Sequence, residues 1–174
     1  MDFKILGIEV DKKGSTLVIK HSKSLAFSPA YTFFIRQVAD LIDNNHGMPY
    51  TLWEDDDCEI IWAEIEDKIV GIICYETNYV NDPIPFLAIQ LTAVHDEYRQ
   101  RGIHTVLNTY FEKRAKELNC IAIRATVHVT NTIRLESTKK DKLTPLLTVM
   151  YKRLLWISKL SMNQILPCLK LTSM

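Results

Sequence analysis

The sequence carries no excess of charge of either sign. Lysine plus arginine number 21, and aspartate plus glutamate also number 21, so the formal net charge is zero. A neutral chain has no overall field that draws it to DNA, RNA or an anionic membrane surface. The composition therefore predicts no nucleic-acid partner.

Metal-binding and disulfide patterns are also lacking. The sequence has four cysteines, and none of them forms a C-x-x-C motif or lies beside paired histidines. Neither a zinc site nor a disulfide framework is indicated, and we expect no metal ion. Reduced, buried thiols are the expected state of all four: Cys58, Cys74, Cys120 and Cys168.

No stretch of the chain is typical of a signal peptide or a membrane span. The start, MDFKILGIEVDKKG, has an acidic second residue and alternates as a strand does. No run reaches the roughly 18 apolar residues of a membrane helix. The apolar segment LLWISKLSMNQILPCLKL is interrupted by polar residues and a proline. We therefore expect a cytoplasmic protein without a membrane segment.

The chain does have enough apolar sequence for one domain. Of its 174 residues, 47% are hydrophobic and 24% are charged, which is typical of a soluble globular protein. We expect residues 1–174 to form a single domain around a single core. The role of the apolar tail 154–174 is left open between two alternatives: it covers the sheet, or it joins a second subunit in a homodimer.

The first part of the chain alternates between strand-like and helix-like patterns. FKILGIEV and TLVIKH, separated by the turn-forming DKKGS, predict a hairpin or a pair of edge strands. Ser28 and Pro29 are typical of the N-cap and first residue of a helix, which continues to DNNHG. CEIIWAEIE and IVGIICYET predict an antiparallel hairpin over 58–77 with a turn around Asp67.

A strand, a helix and another strand follow. The apolar run FLAIQLTAV predicts a buried strand over 86–94. From Arg101 to Leu118 apolar residues recur at helical spacing, and IAIRATVHV predicts a strand over 121–129. Because strand, helix and strand make a crossover unit, we expect the two strands to be parallel neighbours.

The start of that helix has the properties of an anion site. A helix that begins directly after a tight turn presents unpaired backbone amides and the positive end of its dipole. Gly102 permits close approach of a ligand, and Arg99 and Arg101 add positive charge. These features predict a phosphate-bearing cofactor.

The turn V-x-x-x-Y-R-x-R-G-I-x-x-x-L, with the strand before it and the helix after it, resembles the acyl-CoA-binding motif of the GNAT family of N-acetyltransferases. The hairpin 58–77 resembles the family's central strands, and VHVTN resembles its fifth strand and following asparagine. The resemblance implies an α/β (α+β) fold, a GNAT-like mixed β-sheet flanked by helices. Within the motif it is carried by Val94, Tyr98, Arg99, Arg101, Gly102, Ile103 and Leu107.

The resemblance also implies an activity and a cofactor. The chain would transfer an acetyl group from acetyl-CoA to a primary amine of an unidentified acceptor, by direct attack in a ternary complex. The pantetheine arm would lie along Leu91, Thr92, Ala93 and Val94, and Asn131 would be a further cofactor contact. The pyrophosphate would bind the turn and the helix start, formed by Arg99, Gln100, Arg101, Gly102, Ile103, His104 and Thr105.

Two positions depart from the family pattern in the motif and after it. His104 stands where glycine or alanine is usual, and its imidazole either crowds the cofactor, points away or adds a hydrogen bond to phosphate. Thr138 stands where the family's frequent tyrosine acid is expected. Tyr151 and Tyr110 are the alternative candidates for the acid that protonates the leaving thiolate.

A third departure concerns the general base. Residues 86–94 contain no Asp, Glu or His, so the candidates are Glu76 and His128, acting directly or through a water. Direct acyl transfer needs mainly an amine and a thioester held together, with backbone donors for the oxyanion. An enzyme therefore remains the prediction. The alternative is a catalytically degenerate binding module of the same fold that acts through a protein partner.

The acceptor and the C-terminal region have weaker signals. The acidic run 54–57, close to Tyr50 and Trp53, suits a cationic amine, although such a run is also typical of solvated surface. RLESTKKDK is either a polar helix or a loop. LTVMYKRLL is either a last strand or the start of another helix.

Overall fold

A computed structural model of the chain describes residues 3–43, 58–126, 136, 144–146 and 149–153. The elements in chain order are β1 (Phe3–Val10), β2 (Thr16–Ser22), α1 (Tyr31–Asp43), β3 (Cys58–Ile65), β4 (Lys68–Glu76), β5 (Phe86–Val94), α2 (Ile103–Glu117), β6 (Ala122–Thr126), β7 (Thr144–Leu146) and β8 (Val149–Arg153). Short 3₁₀ helices lie at Asn78–Asn81 and Asp96–Tyr98. The described strands form one mixed sheet in the order β1-β2-β3-β4-β5-β6-β8-β7, which confirms the predicted fold class.

Both predicted hairpins are present. β1 pairs antiparallel with β2, and β3 pairs antiparallel with β4. The side chain of Asp11 fixes the first turn, because its Oδ1 accepts hydrogen bonds from the amides of Lys13 and Ser15, both at 2.9 Å. The second turn is made by Glu66 and Asp67.

The first helix begins later than the sequence predicts. Pro29 is not its first residue, since the regular helix starts at Tyr31. Ser28 instead caps a preceding turn: its Oγ accepts a hydrogen bond from the amide of Ala30 at 3.0 Å, and its carbonyl accepts one from Tyr31. The bond from Phe34 to Ala30 then sets the helical pattern. The prediction of Ser28 as the N-cap of the helix is therefore wrong, and the predicted helix start at Pro29 is two residues early.

The crossover unit and the last strand are also present. β5 and β6 are parallel, as predicted, and α2 connects them. α2 ends at Glu117, and Asn119 follows it with a φ of 57°, which allows the amide of Cys120 to bond the carbonyl of Ala115. Of the two alternatives for LTVMYKRLL, the strand is correct, because β8 pairs antiparallel with β6.

The sheet separates two clusters of buried side chains. One lies under α2 and includes Leu107 and Phe111, and the other lies on the α1 side and includes Phe34 and Trp62. Gly71 of β4 lets α2 approach closely, since a Cβ there would lie 2.9 Å from Cγ2 of Ile103. This close packing fixes where α2 begins, and therefore where its first-turn amides lie.

Several predictions concern residues outside the described ranges. These are the end of the strand predicted over 121–129, the acidic run, the position of the missing tyrosine, and the tail: residues 127–129, His128, Asn131, 54–57, Thr138 and 154–174. They stay predictions.

Candidate functional site

The turn before α2 has the backbone of an anion-binding loop. Gln100 has a φ of 62° and Gly102 a φ of 85°, so two residues of one short turn are in the left-handed region. Such a sequence of conformations turns successive amides toward one point. α2 starts at Ile103 with no side-chain cap from Gly102, and helix geometry leaves the first-turn amides without acceptors inside the helix.

The two arginines of this turn have different surroundings. Arg99 is exposed and lies 2.7 Å from Asp96. Arg101 is largely buried, and its guanidinium contacts Asp11 and the Oγ of Ser15, both at 2.5 Å. Arg101 thus ties the turn to the β1–β2 hairpin. Phosphate binding by either side chain stays a prediction, and Arg99 is the more accessible of the two.

The pKa of Asp11, the carboxylate that pairs with Arg101, is lowered. Burial alone would raise the pKa of Asp11, but hydrogen bonds from the amides of Ser15 and Lys13 and the pairing with Arg101 outweigh it and lower that pKa. The carboxylate therefore stays ionised and holds the arginine. The amide of Lys12 also donates to the carbonyl of Arg101 at 3.0 Å.

Lys12 is a cation that the sequence analysis missed. The stem of its side chain lies over Gly102, with Cε 3.4 Å from the position of a Cβ added at that glycine. In sequence, Lys12 belongs to a hairpin turn far from the motif. Only the three-dimensional contact between that hairpin and the α2 turn brings it to the candidate anion site.

β5 carries an irregularity in the middle of the sheet. Its register with β4 shifts between Cys74 and Tyr75, so Gln90 is an extra, bulged residue. Among the described residues, pairing with β6 extends from Phe86 to Ile89, whereas β5 continues to Val94. The second half of β5 is the stretch predicted to hold the pantetheine arm.

An unsatisfied hydroxyl lies in this stretch. The Oγ1 of Thr92 is buried and has no hydrogen-bond partner among the described residues. Thr92 pairs with Ile73, which belongs to the cluster under α2, so both side chains lie on the α2 face. A buried hydroxyl without a partner costs free energy unless a ligand or water satisfies it. The residues present therefore fit a polar ligand group along β5.

The candidate base Glu76 lies at the bulge. It is only 4% exposed, and it accepts a hydrogen bond from Nε2 of Gln90. Tyr79 is close to it: burial raises the pKa of Tyr79, and the neighbouring Glu76 raises it further. The ring of Tyr79 stacks on Phe86 with centroids 4.3 Å apart. Gln90 and Tyr79 were not singled out from the sequence, although Gln90 is conspicuous as a long polar side chain in an apolar run.

The candidate acid Tyr151 shares a cross-strand row with Glu76. Glu76 pairs with Ala88, Ala88 with Arg124, and Arg124 with Tyr151. Strands lie about 4.8 Å apart, so Tyr151 is about 14 Å along the row from Glu76. The row crosses the β5–β6 junction, and the two candidates lie on opposite sides of it.

The other candidate acid is elsewhere. Tyr110 donates a hydrogen bond to Glu9 of β1 at 2.8 Å and packs against Gly7. β1 is three strands from β4, so the structure does not bring Tyr110 to Glu76. The last candidates, His128 and Asn131, lie outside the described residues.

The described cysteines are buried and free, as expected. The pKa of the Cys74 thiol is raised well above its usual value, first by a hydrogen bond with Cys58 and then by burial. Burial raises the pKa of Cys120 to about 11. Thiolate forms of both are therefore disfavoured, and neither is suited to attack a thioester.

A profile of the family described as "Acetyltransferase (GNAT) family" matches residues 26–136. The chain belongs to this family. The match confirms the resemblance seen in the motif, and it identifies the chain as a GNAT acetyltransferase domain. No curated protein matches its sequence.

Solved structures of this GNAT fold are similar to the chain. The GNAT domain of PAT from S. lividans has a TM-score of 0.64 at 15% identity, covering 85% of this chain and 96% of its own. An aminoglycoside acetyltransferase from an uncultured soil metagenomic sample, in complex with trehalose, has a TM-score of 0.58 at 18% identity, covering 83% and 97%. A putative streptothricin acetyltransferase from Bacillus anthracis, in complex with acetyl coenzyme A, has a TM-score of 0.51 at 18% identity, covering 56% and 64%.

Two further properties concern the described part of this GNAT chain. None of its helices is long and apolar enough to cross a membrane. Within the same residues, no group of three or more His, Cys, Asp or Glu side chains is placed to hold a metal ion.

Proposed function

We propose that this GNAT chain is an N-acetyltransferase that moves an acetyl group from acetyl-CoA to a primary amine by direct attack in a ternary complex. One observation carries the proposal: the anion-binding turn at Gly102 leads back to a strand, β5, whose second half bears the unsatisfied hydroxyl of Thr92. Coenzyme A has a diphosphate followed by the polar pantetheine arm, which matches the turn at Gly102 followed by the hydroxyl of Thr92.

Acetyl-CoA is the co-substrate, and its thioester supplies the acetyl group. The first-turn amides of α2 and the exposed Arg99 hold the pyrophosphate, and Lys12 adds positive charge over Gly102. The backbone of Leu91 to Val94 and the hydroxyl of Thr92 hold the pantetheine arm. This assignment places the thioester near the bulge at Gln90.

The residues at the bulge then serve the chemistry. Glu76 takes a proton from the acceptor amine, and Gln90 orients its carboxylate. The amine nitrogen bonds to the carbonyl carbon, the carbon–sulfur bond breaks, and the CoA thiolate takes a proton from Tyr151 or Tyr79. Direct attack is supported by the raised pKa of Cys74 and Cys120, which disfavours an acetyl-cysteine route through either of these two thiols.

The acceptor in this proposal is a primary amine. Two of the similar structures are acetyltransferases named for aminoglycoside and streptothricin substrates, which makes cationic small molecules a reasonable first panel. The alternative is a binding module that keeps the fold without turnover. It is favoured by Thr138, where the family's frequent tyrosine acid is expected.

The test is a turnover assay that follows release of the free CoA thiol with a panel of polyamines, aminosugars and lysine peptides. An amine that accelerates thiol release in the wild type and not in Glu76→Gln supports the enzyme and the base. Binding of acetyl-CoA without release for any amine would contradict the enzyme and favour the binding module.

A further inference from the structure

β1 is an edge strand with exposed apolar side chains. One side of β1 pairs with β2, and no described strand pairs with its other side. Four large apolar side chains are between 41% and 67% exposed: Phe3, Ile5, Ile8 and Val10. Proteins usually protect a sheet edge with charges, proline or a covering element. An exposed apolar edge of this kind is typical of an interaction surface.

These four side chains, here called the β1 stripe, lie on one face of the sheet. The ring of Phe3 packs edge-on against Trp62, with centroids 5.7 Å apart, and Trp62 belongs to the cluster on the α1 side. Leu17 and Ile19 of β2 lie on the α2 face, so the β2 residues that alternate with them lie on the α1 face. The other three side chains of the β1 stripe pair with these alternating residues. They therefore share the α1 face with Phe3, in the pairs Ile5 with Lys20, Ile8 with Val18 and Val10 with Thr16.

A bulge makes this arrangement possible. The register of β1 with β2 shifts between Ile5 and Gly7, so Leu6 is an extra residue. In a regular strand, side chains alternate between faces, and Ile5 and Ile8 would lie on opposite faces. The bulge therefore aligns the two halves of the β1 stripe.

The opposite face of β1 carries two charges of opposite sign. Lys4 pairs with His21 and Glu9 with Leu17, and both partners lie on the α2 face. Lys4 and Glu9 are exposed, one near each end of the strand. Reversing the direction of the strand therefore exchanges a positive position for a negative one.

From this self-complementarity we infer that β1 pairs antiparallel with β1 of a second copy of the chain, joining two sheets across a twofold axis between Leu6 and Gly7. In this register Lys4 lies opposite Glu9 of the second copy, twice by symmetry. The apolar contacts join the two β1 stripes on one face: Phe3 opposite Val10, and Ile5 opposite Ile8.

The register is specified by both faces. A slip of one residue would place side chains of opposite faces against each other, and apolar residues opposite charges. A slip of two residues would separate Lys4 from Glu9. A second copy fits this edge because the strand is complementary to its own reverse, a property that an unrelated partner strand has no reason to share.

The test is sedimentation equilibrium of the full chain from micromolar to near-millimolar concentration. We expect a reversible dimer of the 20.1 kDa chain. Ile8→Lys should weaken dimerisation on the order of 100-fold, because it puts a charge into the apolar row beside the axis. Phe27→Lys, at an exposed apolar residue outside β1, should leave the dimer unchanged. A monomer at every concentration, or a dimer insensitive to Ile8→Lys, would overturn the inference.

Charge reversal tests the register. Lys4→Glu should weaken the dimer about tenfold, since it places two carboxylates opposite each other in each of two symmetric pairs. Adding Glu9→Lys in the same chain should restore most of the affinity. Tyr110→Phe controls for the hydrogen bond that Glu9 accepts. Failure of the double variant to recover, with Tyr110→Phe unaffected, would contradict the register and the inference with it.

Discussion

Two buried glutamates on neighbouring strands have very different surroundings. Glu59 of β3 is 7% exposed, and Glu76 of β4 is 4% exposed. Glu59 pairs with the guanidinium of Arg114 through two hydrogen bonds of 2.9 and 3.0 Å, and Tyr75 and His21 contact it at 2.8 Å. Glu76 accepts an amide hydrogen bond from Gln90 beside a bulge.

The two carboxylates also lie on opposite faces of the sheet. Tyr75, a partner of Glu59, belongs to the cluster under α2, so Glu59 lies on the α2 face. Glu76 is the next residue of β4, and because side chains alternate along a strand it lies on the α1 face. Burial alone would raise the pKa of Glu59, but hydrogen bonds from His21, Arg114 and Tyr75 outweigh it and lower the pKa to about 2. Glu59 is therefore an ionised carboxylate held by its partners, whereas proton transfer by Glu76 stays a proposal.

The largest expected effect is on catalysis. Glu76→Gln should lower kcat by about 10² to 10⁴ if Glu76 is the base, because an amide cannot take the amine proton. The structure should be retained, since glutamine has the same shape and can still accept from Gln90. The measurement is steady-state kinetics with a responsive amine. A variant with wild-type kcat would remove Glu76 from the mechanism.

Glu59→Gln should have the opposite effect: it should lower stability and leave kcat unchanged. It removes the buried carboxylate from the half-buried Arg114, which keeps only a longer carboxylate contact, of 3.6 Å to Glu117, among the described residues. Breaking one side of a buried ion pair costs about 3 to 5 kcal/mol of unfolding free energy. The measurement is urea unfolding at neutral pH beside Glu76→Gln as the matched control. The fraction that remains folded should turn over normally. Equal stability of the two variants would contradict the structural role of Glu59.

The loss of stability at low pH should also depend on Glu59. The folded pKa of Glu59, about 2, is below the ordinary value of 4.5. Its contribution is therefore present above pH 4.5 and is lost as pH falls toward 2; a shift of this size corresponds to about 3 kcal/mol. The stability difference between wild type and Glu59→Gln should shrink over that window. A difference independent of pH would mean that ionisation of Glu59 does not stabilise the fold.

The smallest expected effect comes from the partner of the candidate base. Gln90→Met removes the donor to the ionised form of Glu76 while nearly keeping the volume, so the pKa of Glu76 should rise. We expect the acid limb of the kcat profile to move to higher pH, with a loss of about tenfold in kcat near neutrality. A profile that keeps its position would show that Gln90 does not orient the base.

The turn before α2 and the start of that helix are predictable from the sequence alone. The turn is local: the residues from Tyr98 to Leu107 define a strand end, a glycine and an amphipathic helix, and their pattern is visible without tertiary contacts. The two hairpins and the parallel crossover are predictable for the same reason.

The rest depends on contacts between distant segments. Lys12 reaches Gly102 only because Arg101 binds the β1–β2 turn, and Gln90 reaches Glu76 only because β5 bulges. A bulge changes which face a side chain occupies, and the regular alternation used to interpret a strand cannot reveal it. The helix start at Tyr31 differs from the prediction because Ser28 caps a turn that precedes the helix, and the same residue types are typical of both positions.

The central claim is that acetyl-CoA binds at the turn that begins α2. Its most direct test is calorimetric titration of the chain with acetyl-CoA, with ATP as a comparison ligand. Gly102→Glu is compared with Gly14→Glu, which adds the same side chain at another glycine of positive φ with nothing near its Cβ. We expect wild type and Gly14→Glu to bind near micromolar, about −8 kcal/mol, with ATP much weaker, and Gly102→Glu to show no binding. Equal affinity of the two variants, or no binding by the wild type, would contradict the claim.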